Sequence, residues 1–301
     1  FPLAAERGYW KAEGLEVAVD RGNGSATSIQ RVVSGTHEIA YADVGTIVKW
    51  NAENPGRELM MFYVAEDGFP LVAVSLRNKG ITKPKDLEGR KLGAPSFDGG
   101  RQMFPAFAKA NGIDQSKITW LTMDANLREQ MLAKGDVDAI TGFTFTSQLN
   151  LNARGVKDED MVVLPYPQYG VKLYGNVIIA SPKMIKENPA AVKAFLTAFT
   201  KGVKDVIAKP EAAIDTVKAR DGIINTALET RRLKMAIDSV VASPDARAEG
   251  FGQVVPGRLS LMASQVSDAF NTKTRVNPDA VWNGSFLPAK AELNVLPAPK
   301  K

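Results

Sequence analysis

The order of strand-like and helix-like segments constrains the fold of this chain most. Short apolar segments typical of buried strands, at residues 59–64, 71–75 and 176–181, alternate with helical patterns such as residues 125–134. From residue 182 almost to residue 271 the pattern is helical. Because strands that alternate with helices favour mostly parallel sheets covered by helices, the sequence predicts an α/β fold.

The first residues have the pattern of a helix followed by a strand. Residues 3–14 are a helical pattern closed by glycines, and residues 15–19 alternate apolar with other side chains, which predicts a strand. The chain opens on Phe1, already inside the helical pattern, and shows no basic and apolar signal segment. We therefore expect that upstream residues are missing from it.

The composition excludes several classes of function. The 301 residues are enough for two medium-sized cores. The chain contains no cysteine, which excludes zinc ribbons, thiol nucleophiles and disulfide frameworks. The net charge is +5, but 38 Lys and Arg are spread among 33 Asp and Glu, so we expect no nucleic-acid partner. No apolar run of about 18 residues, the length that spans a membrane, occurs either.

The side chains that usually carry catalysis are scarce. His37 is the only histidine, no cysteine accompanies it, and no G-x-S-x-G nucleophile elbow occurs. We interpret His37 as a solvated residue near a helix end, with a catalytic role as the alternative. Residues 22–27 resemble a phosphate loop only in part, since the Gly-Lys-Ser/Thr ending is missing. The sequence therefore predicts no catalytic residue, no metal site, no cofactor and no enzyme.

A loop of small polar residues that leads into a helix recurs at residues 22–27, 43–46 and 96–101. Free N–H groups and capping side chains at such places form small polar binding sites where strands end, although each loop alone is also explained as an ordinary helix cap. Aromatic residues on later loops predict a shared cleft for a small, partly planar solute, with core packing as the alternative. They are Phe143, Phe145, Tyr166, Tyr169 and Tyr174.

Several segments resemble one family of binding proteins. Residues 6–17 are similar to its signature, with an aromatic pair, two turn glycines and a strand start in register. Residues 34–40, 80–93 and 132–139 resemble further family elements, and residues 169–180 resemble its return strand. Over roughly the first two thirds of its length, the chain resembles the ABC-transporter solute-binding proteins of the nitrate, sulfonate, taurine and thiamine-pyrimidine-precursor superfamily.

The resemblance implies a type II periplasmic-binding-protein fold, with two lobes of mostly parallel sheet flanked by helices. Residues 1–70 and 181–301 would form lobe one and residues 71–180 lobe two. Two hinge crossings would lie near residues 71–75 and 177–181. The family normally has a strand and a ligand-contacting loop before the helix that begins this chain.

The resemblance also implies a function without bond-making chemistry. The chain would be the extracytoplasmic solute-binding component of an ABC importer, a monomer in the periplasm or held outside the cytoplasm by a lipid anchor. Closure of the lobes would bury the solute, which the chain would deliver to the membrane permease. A sensor domain with the same cleft and a pyridoxal-phosphate-dependent pyrimidine synthase of the same fold are alternatives. His37 is a poor candidate for the histidine that such a synthase consumes.

The predicted ligand-binding residues lie on loops of both lobes. They are Ser25, Ala26, Thr27, Asp43, Ser96, Phe97, Asp98, Gly99, Arg101, Phe143, Thr144 and Tyr169. Asp43 or Asp98 would bind the amino group of an aromatic heterocycle such as a pyrimidine thiamine precursor. We favour this ligand because aromatic residues outnumber cations near the predicted cleft. Arg101 at a helix start would instead suit a small anion such as an alkanesulfonate, taurine or nitrate.

Overall fold

The computed structural model of the protein describes residues 1–297, which form two β-sheets with flanking helices. Sheet A contains β1 (Ile39–Asp43), β2 (Met60–Val64) and β8 (Asn176–Ala180), in the order β1-β8-β2. The strands of sheet B are β3 (Leu71–Leu76), β4 (Lys91–Gly93), β5 (Thr119–Leu121), β6 (Ala139–Phe143) and β7 (Met161–Pro165). Their order in the sheet is β5-β4-β6-β3-β7.

Helices cover both sheets. They are α1 (Pro2–Glu6), α2 (Tyr9–Ala12), α3 (Ser25–Val33), α4 (Val44–Glu53), α5 (Gly99–Gln102), α6 (Phe104–Ala110), α7 (Arg128–Lys134), α8 (Thr144–Asn152), α9 (Pro182–Glu187), α10 (Pro189–Ala208), α11 (Pro210–Arg220), α12 (Thr226–Ala236), α13 (Pro244–Glu249), α14 (Pro256–Phe270) and α15 (Lys290–Leu293). Helix α12 continues into a π-helix at Ile237–Val241. Short 3-10 helices lie at Arg77–Lys79, Pro84–Leu87, Gln115–Lys117, Asp158–Asp160, Tyr166–Tyr169, Pro278–Ala280 and Gly284–Phe286.

Two segments connect the sheets. We call residues 65–70 the first crossing and residues 166–175 the second crossing, and they are hydrogen-bonded where they meet sheet A. The amide N of Glu66 donates to the carbonyl of Asn176 at 2.9 Å, and that of Gly175 donates to the carbonyl of Glu66 at 2.8 Å. We call sheet A with α1–α4 and α9–α15 the first half, and sheet B with α5–α8 the second half.

The positions predicted for the hinge need correction. Residues 71–75 and 177–181 do not connect the halves: the first range lies in β3, and the second lies in β8 and the residue after it. Strand β3 is paired with β6 and β7, and β8 with β1 and β2. Their apolar runs reflect burial in the middle of each sheet. The halves are connected by the two crossings, which come directly before β3 and β8 in the chain.

The expectation of mostly parallel strands is also corrected. Strand β4 runs parallel to β5 and β6, whereas β3 and β8 run antiparallel to all of their neighbours. Each of these two strands enters its sheet from the other half, and therefore from the opposite end. The sheets are mixed for this reason.

The strand predicted over residues 15–19 is wrong. These residues make no ladder with a neighbouring strand, and within the described residues β1 pairs with β8 alone. Leu15, Val17 and Val19 still pack against a buried cluster of the first half. The alternating pattern therefore identified a half-buried face, but a strand also needs a hydrogen-bonded partner, and within the described residues a groove of about 680 Å³ lies between these residues and β1.

One hydrophobic core extends through both halves. It includes Val44 and Ile47 of α4 in the first half and Phe104 and Phe107 of α6 in the second half. Leu259 of α14 belongs to the same core. The halves are thus packed together along α4, α6 and α14, in addition to the two crossings.

Candidate functional site

Two carboxylates, Asp43 buried and Asp98 half-buried, mark the point where loops of the two halves meet. Asp43 ends β1, and its Oδ1 accepts a hydrogen bond from the N–H of Thr46 at 2.9 Å, which caps α4. Asp98 follows β4, and its Oδ1 accepts from the N–H of Arg101 at 3.1 Å, which caps α5. Aspartate in this position satisfies an N–H group that the first helical turn leaves free, so both side chains are fixed locally by their own helices.

The loops around these carboxylates contact each other directly. A methyl group placed on Gly24 would lie 2.6 Å from Cδ2 of Phe97 and 2.8 Å from the carbonyl oxygen of Phe97. One placed on Gly99 would lie 3.5 Å from Oδ2 of Asp43. On the first half, the N–H of Asp43 donates to Oγ of Ser25 at 3.0 Å. The structure therefore brings Ser25, Asp43, Phe97, Asp98 and Gly99 to one junction between the halves.

Other predicted residues lie beside this junction. Ala26 and Thr27 are half-buried in the first turn of α3. Ser96 is exposed, and its carbonyl accepts from Nε2 of Gln102 at 2.6 Å. Thr144 begins α8, where its hydroxyl donates to the carbonyl of Pro70 at 3.0 Å. The hydroxyl of Thr144 thus binds the first crossing.

Two aromatic residues and one arginine of the predicted site have their contacts with residues of the second half. Phe143 packs edge-on against Phe145, with ring centroids 5.7 Å apart, and Tyr169 packs edge-on against Phe107 at 6.1 Å. The guanidinium of Arg101 donates to the carbonyl of Ala94 at 3.0 Å and to Oγ1 of Thr122 at 2.8 Å. It also lies 4.8 Å from the ring centroid of Trp120. Arg101 therefore has local partners at the edge of sheet B.

Sequence reasoning missed Arg128 and Glu129, which support Asp98 from α7. Both side chains are buried, and Nη1 of Arg128 donates to Oδ2 of Asp98 at 3.2 Å. The same guanidinium binds Oε1 of Glu129 at 2.8 Å, and Thr141 donates to Oδ1 of Asp98 at 3.3 Å. A Leu-Arg-Glu sequence in a helical pattern has the appearance of a solvated helix face, so no local signal distinguishes this buried ion pair.

Glu66 of the first crossing was also missed. It is buried, Oε1 accepts a hydrogen bond from the hydroxyl of Tyr41, and Oε2 accepts from the N–H of Asn176 at 3.3 Å. Gly175 is required beside it, since a methyl group there would lie 2.6 Å from Cβ of Glu66. The sequence Glu66-Asp67-Gly68 is typical of an exposed turn, which is why its pattern concealed a buried acid.

Burial raises the pKa of three carboxyl groups, those of Asp43 and Asp98 at the junction and that of Glu66 in the first crossing. It is the largest influence on the pKa of Asp43, where hydrogen bonds from Thr46 act in the opposite direction and the charge of Asp98 adds to the increase. Burial also raises the pKa of Asp98, against the attraction of Arg128. The pKa of Glu66 is raised by burial, against the hydrogen bond from Tyr41. A ligand that brings positive charge or N–H donors would stabilise the ionised forms of these groups.

The raised pKa of Asp43 predicts a pH dependence of stability. Its ordinary value is 3.8, and a proton binds more tightly in the folded state than in the unfolded chain. The proton on Asp43 therefore stabilises the folded state fully at pH values below the ordinary pKa. This stabilisation is lost as the pH rises through the raised pKa, and it amounts to about 1.36 kcal/mol for each pH unit that separates the two pKa values. We expect Asp43→Asn, which can still accept from the N–H of Thr46, to reduce this dependence in urea unfolding measured at several pH values. If the free energy of unfolding of Asp43→Asn depends on pH as it does in the unaltered protein, the prediction is wrong.

A second contact joins the halves at α12 and α8. Nη1 of Arg232 donates to the carbonyls of Phe145 and Thr146 at 3.0 and 3.3 Å, and Nη2 donates to Oδ1 of Asn150 at 2.9 Å. Glu229, one turn earlier on α12, pairs with the same guanidinium at 3.0 Å. These hydrogen bonds hold the two halves together beside the junction.

Two further features of the described residues concern metal binding and the position of the histidine. Within residues 1–297 no group of three His, Asp or Glu side chains is arranged to hold a metal ion. Nε2 of His37 lies 3.1 Å from Oδ2 of Asp20, on the surface of the first half. In the same part of the chain no helix is long and apolar enough to cross a membrane.

Comparison with known proteins gives the family and the fold. A family model described as NMT1/THI5 like matches residues 1–213. The riboflavin-binding protein RibY of Chloroflexus aurantiacus is 26% identical over 219 residues, which cover 71% of this chain and 60% of that protein. A 4-amino-5-hydroxymethyl-2-methylpyrimidine phosphate synthase of Aspergillus parasiticus is 24% identical over 223 residues, covering 71% of this chain and 64% of the enzyme. The chain thus spans less than two thirds of the length of these relatives.

Among solved structures, the periplasmic aliphatic sulphonate binding protein SsuA from Escherichia coli superposes with a TM-score of 0.71 at 13% identity. The superposition covers 93% of this chain and 92% of that chain. At so low an identity the likeness shows the fold, and it confirms the predicted α/β architecture of two sheets with flanking helices. Since the family model also covers more than half of its length, the chain belongs to the NMT1/THI5-like family and has the fold of periplasmic binding proteins.

Proposed function

We propose that this chain is the solute-binding component of an ABC importer and that it encloses a small molecule between its two halves. The observation that carries the proposal is the junction itself, where Asp43 of the first half lies against Gly99 of the second, and Gly24 lies against Phe97. Loops from separate halves that meet at buried polar groups are suited to enclose a ligand when the halves close.

The proposed mechanism is a change of shape. Rotation about the two crossings would separate Gly24 from Phe97 and open the junction to solvent. A solute that contacts both halves favours the closed form by the difference between its affinities for the two forms. The closed form would then be recognised by the membrane permease outside the cytoplasm, and no bond of the solute is broken.

The charges at the junction favour a heterocycle that carries an amino group. Asp43 and Asp98 are carboxylates with raised pKa, and an amino or amidine group would donate to them. The two arginines nearby are already engaged, Arg101 with Ala94 and Thr122, and Arg128 with Asp98 and Glu129. An alkanesulfonate or nitrate would need such a guanidinium to be free. The names of the relatives, a riboflavin-binding protein and a pyrimidine synthase, also point to heterocycles.

A pyrimidine synthase is the second candidate, because a relative carries that activity in its name. Such an enzyme would use a histidine and a lysine that binds pyridoxal phosphate. His37, the only histidine, is paired with Asp20 and is not among the residues that the structure brings to the junction. Addition of pyridoxal phosphate to the purified protein would give a visible Schiff-base absorption band if the chain were this enzyme.

Binding measurements test the proposed function. Mass spectrometry of the purified protein would identify a retained solute, and thermal shift would compare 4-amino-5-hydroxymethyl-2-methylpyrimidine, riboflavin, taurine and nitrate. We expect the aminopyrimidine to raise the melting temperature by several degrees, because only ligands that prefer the folded state do so. Asp98→Asn should weaken its binding about tenfold or more, which is about 1.4 kcal/mol.

Asp124→Asn is the matched control for Asp98→Asn. Asp124 is also on the second half and accepts an N–H bond from Asn126 at 2.8 Å, but it is exposed. Its replacement should leave binding unchanged. Stabilisation by taurine or nitrate alone would contradict the proposed ligand class, and the absence of stabilisation by every compound would contradict solute binding.

A further inference from the structure

Arg232 of α12 uses its whole guanidinium group at the border between the halves. A guanidinium carries five N–H donors in a fixed plane. Here each of them has a partner: Nη1 donates to the carbonyls of Phe145 and Thr146, Nη2 donates to Asn150 and Glu229, and Nε donates to Glu229. The side chain of Arg232 is 17% exposed. A planar group with all of its donors satisfied indicates a specific contact between the halves.

The partners of Arg232 fall into two groups, one on each half. Glu229 lies one turn earlier on α12 itself, and its carboxylate oxygens are 3.0 Å from Nε and 3.2 Å from Nη2. The partners on α8 of the second half are uncharged oxygen atoms at 2.9 to 3.3 Å. Glu229 therefore fixes the plane of the guanidinium within the first half, and the other N–H groups bind the second half.

Helix α12 is attached to the first half and to the first crossing through its π-helix. Val241 of the π-helix packs against a buried cluster of the first half, and Val240 is buried. The N–H of Gly68, in the first crossing, donates to the carbonyl of Val240 at 3.0 Å. If the chain bends at the crossings, α12 therefore moves with the first half. Opening of the halves would then withdraw Arg232 from α8.

We propose that Arg232 is a clasp that holds the two halves in the closed form and releases α8 when they rotate apart. After release the guanidinium keeps its ion pair with Glu229, and the oxygen atoms of α8 are hydrated. Opening therefore leaves no buried charge without a partner, and hydrogen bonds to water replace those of the clasp. A contact of this kind shifts the equilibrium between the open and closed forms and still allows exchange between them.

The clasp also affects solute binding, and this consequence rests on the proposed function. Because only the closed form encloses the solute, the apparent affinity is proportional to the fraction of molecules that are closed. All N–H groups of Arg232 are already used, so none is left to bind the solute. Arg232 is thus a positioning residue, which strengthens binding through the closed form.

Small-angle X-ray scattering of the protein without added solute tests the clasp. We expect Arg232→Ala to have a larger radius of gyration than the unaltered protein, and Asn150→Ala, which removes one acceptor on α8, to show a smaller increase. Arg232→Lys should resemble Arg232→Ala, since an ammonium group lacks the planar arrangement of donors. Arg231→Ala is the matched control, because Arg231 is the neighbouring residue on α12 and is exposed. It should leave the radius of gyration unchanged.

Calorimetry with the aminopyrimidine tests the effect on binding. Arg232→Ala should bind it about fivefold more weakly or worse, and Arg231→Ala should bind it as the unaltered protein does. Saturation with the aminopyrimidine should return the radius of gyration of Arg232→Ala to that of the unaltered protein, which a purely structural defect would not allow.

Two results would overturn this assignment. If Arg232→Ala is folded by circular dichroism and has the radius of gyration of the unaltered protein, Arg232 does not hold the halves together. If the aminopyrimidine binds Arg232→Ala as tightly as the unaltered protein, Arg232 is not a positioning residue. An increased radius of gyration in a protein that binds none of the compounds would support the clasp and contradict the proposed function, so the two failures are distinct.

Discussion

Replacement of Arg258 by alanine should lower the free energy of unfolding by about 3 kcal/mol or more, because it leaves a buried charge without its partner. Nη1 of Arg258 lies 3.2 Å from Oδ2 of Asp67, which is buried, and 3.0 Å from Oδ2 of Asp245. Its Nη2 donates to the carbonyls of Asp67 and Leu173, the latter at 3.1 Å. The guanidinium also lies 3.9 Å from the ring centroid of Tyr174.

This arginine is unusual because it binds both crossings at once. Asp67 belongs to the first crossing, and Leu173 and Tyr174 belong to the second, so α14 fixes the two connections through one side chain. For a domain of this size, a loss of about 3 kcal/mol corresponds to a fall in melting temperature of about 6–10 °C. Differential scanning calorimetry of the variant measures this directly.

Arg275→Ala is the control for Arg258→Ala. Nη2 of Arg275 lies 3.0 Å from Oδ1 of Asp268, a distance similar to that in the Arg258 pair, but both side chains are largely exposed. Exposed ion pairs contribute about 0–1 kcal/mol, so this change should shift the melting temperature little. Arg258→Lys, which keeps the charge but cannot bind several carbonyls and a ring together, should fall between the two. Equal losses for Arg258→Ala and Arg275→Ala would refute the role given to the crossings.

Most strands and helices could be predicted because their signals are local. The apolar runs that become β2, β3 and β8, and the capping residues Asp43 and Asp98, depend on side chains within a few positions of each other. Strand direction could not be predicted in the same way. Whether β3 and β8 run parallel or antiparallel to their neighbours depends on which half the chain arrives from, and periodicity carries no information about that.

The loop residues of the candidate site could be predicted from the sequence. The side chains distant in sequence that bind those loops could not. Ser25, Asp43, Phe97 and Gly99 lie together because strand ends and helix starts converge at the edges of sheets, which is a general rule. Arg128 reaches Asp98 across 30 positions of sequence. No sequence pattern indicates such a pairing, because a buried arginine and an exposed one have the same neighbours along a helix. Because Arg101 is beside the loop in sequence, the sequence predicts that it binds the solute. In the structure its guanidinium donates to Oγ1 of Thr122.

Gly24→Ala should prevent the halves from closing and reduce solute affinity by about tenfold or more, which is about 1.4 kcal/mol. Gly24 has φ of 117° and ψ of 160°, a region that is essentially restricted to glycine and costs about 1–3 kcal/mol for other residues. The added methyl group would also lie 2.8 Å from the carbonyl oxygen of Phe97. Since that oxygen belongs to the backbone of the other half, the collision is relieved only by opening.

The two effects of the change can be separated, because strain acts in both forms and the collision acts only in the closed one. Gly35→Ala is the control: its φ is 76°, yet no atom lies within 4 Å of the added methyl group. Both variants should lose some stability toward urea, but only Gly24→Ala should lose affinity for the aminopyrimidine and show a larger radius of gyration in small-angle X-ray scattering with that ligand present. If Gly24→Ala binds as tightly as Gly35→Ala, then the contact between Gly24 and Phe97 is not part of closure, and the ligand does not depend on this junction.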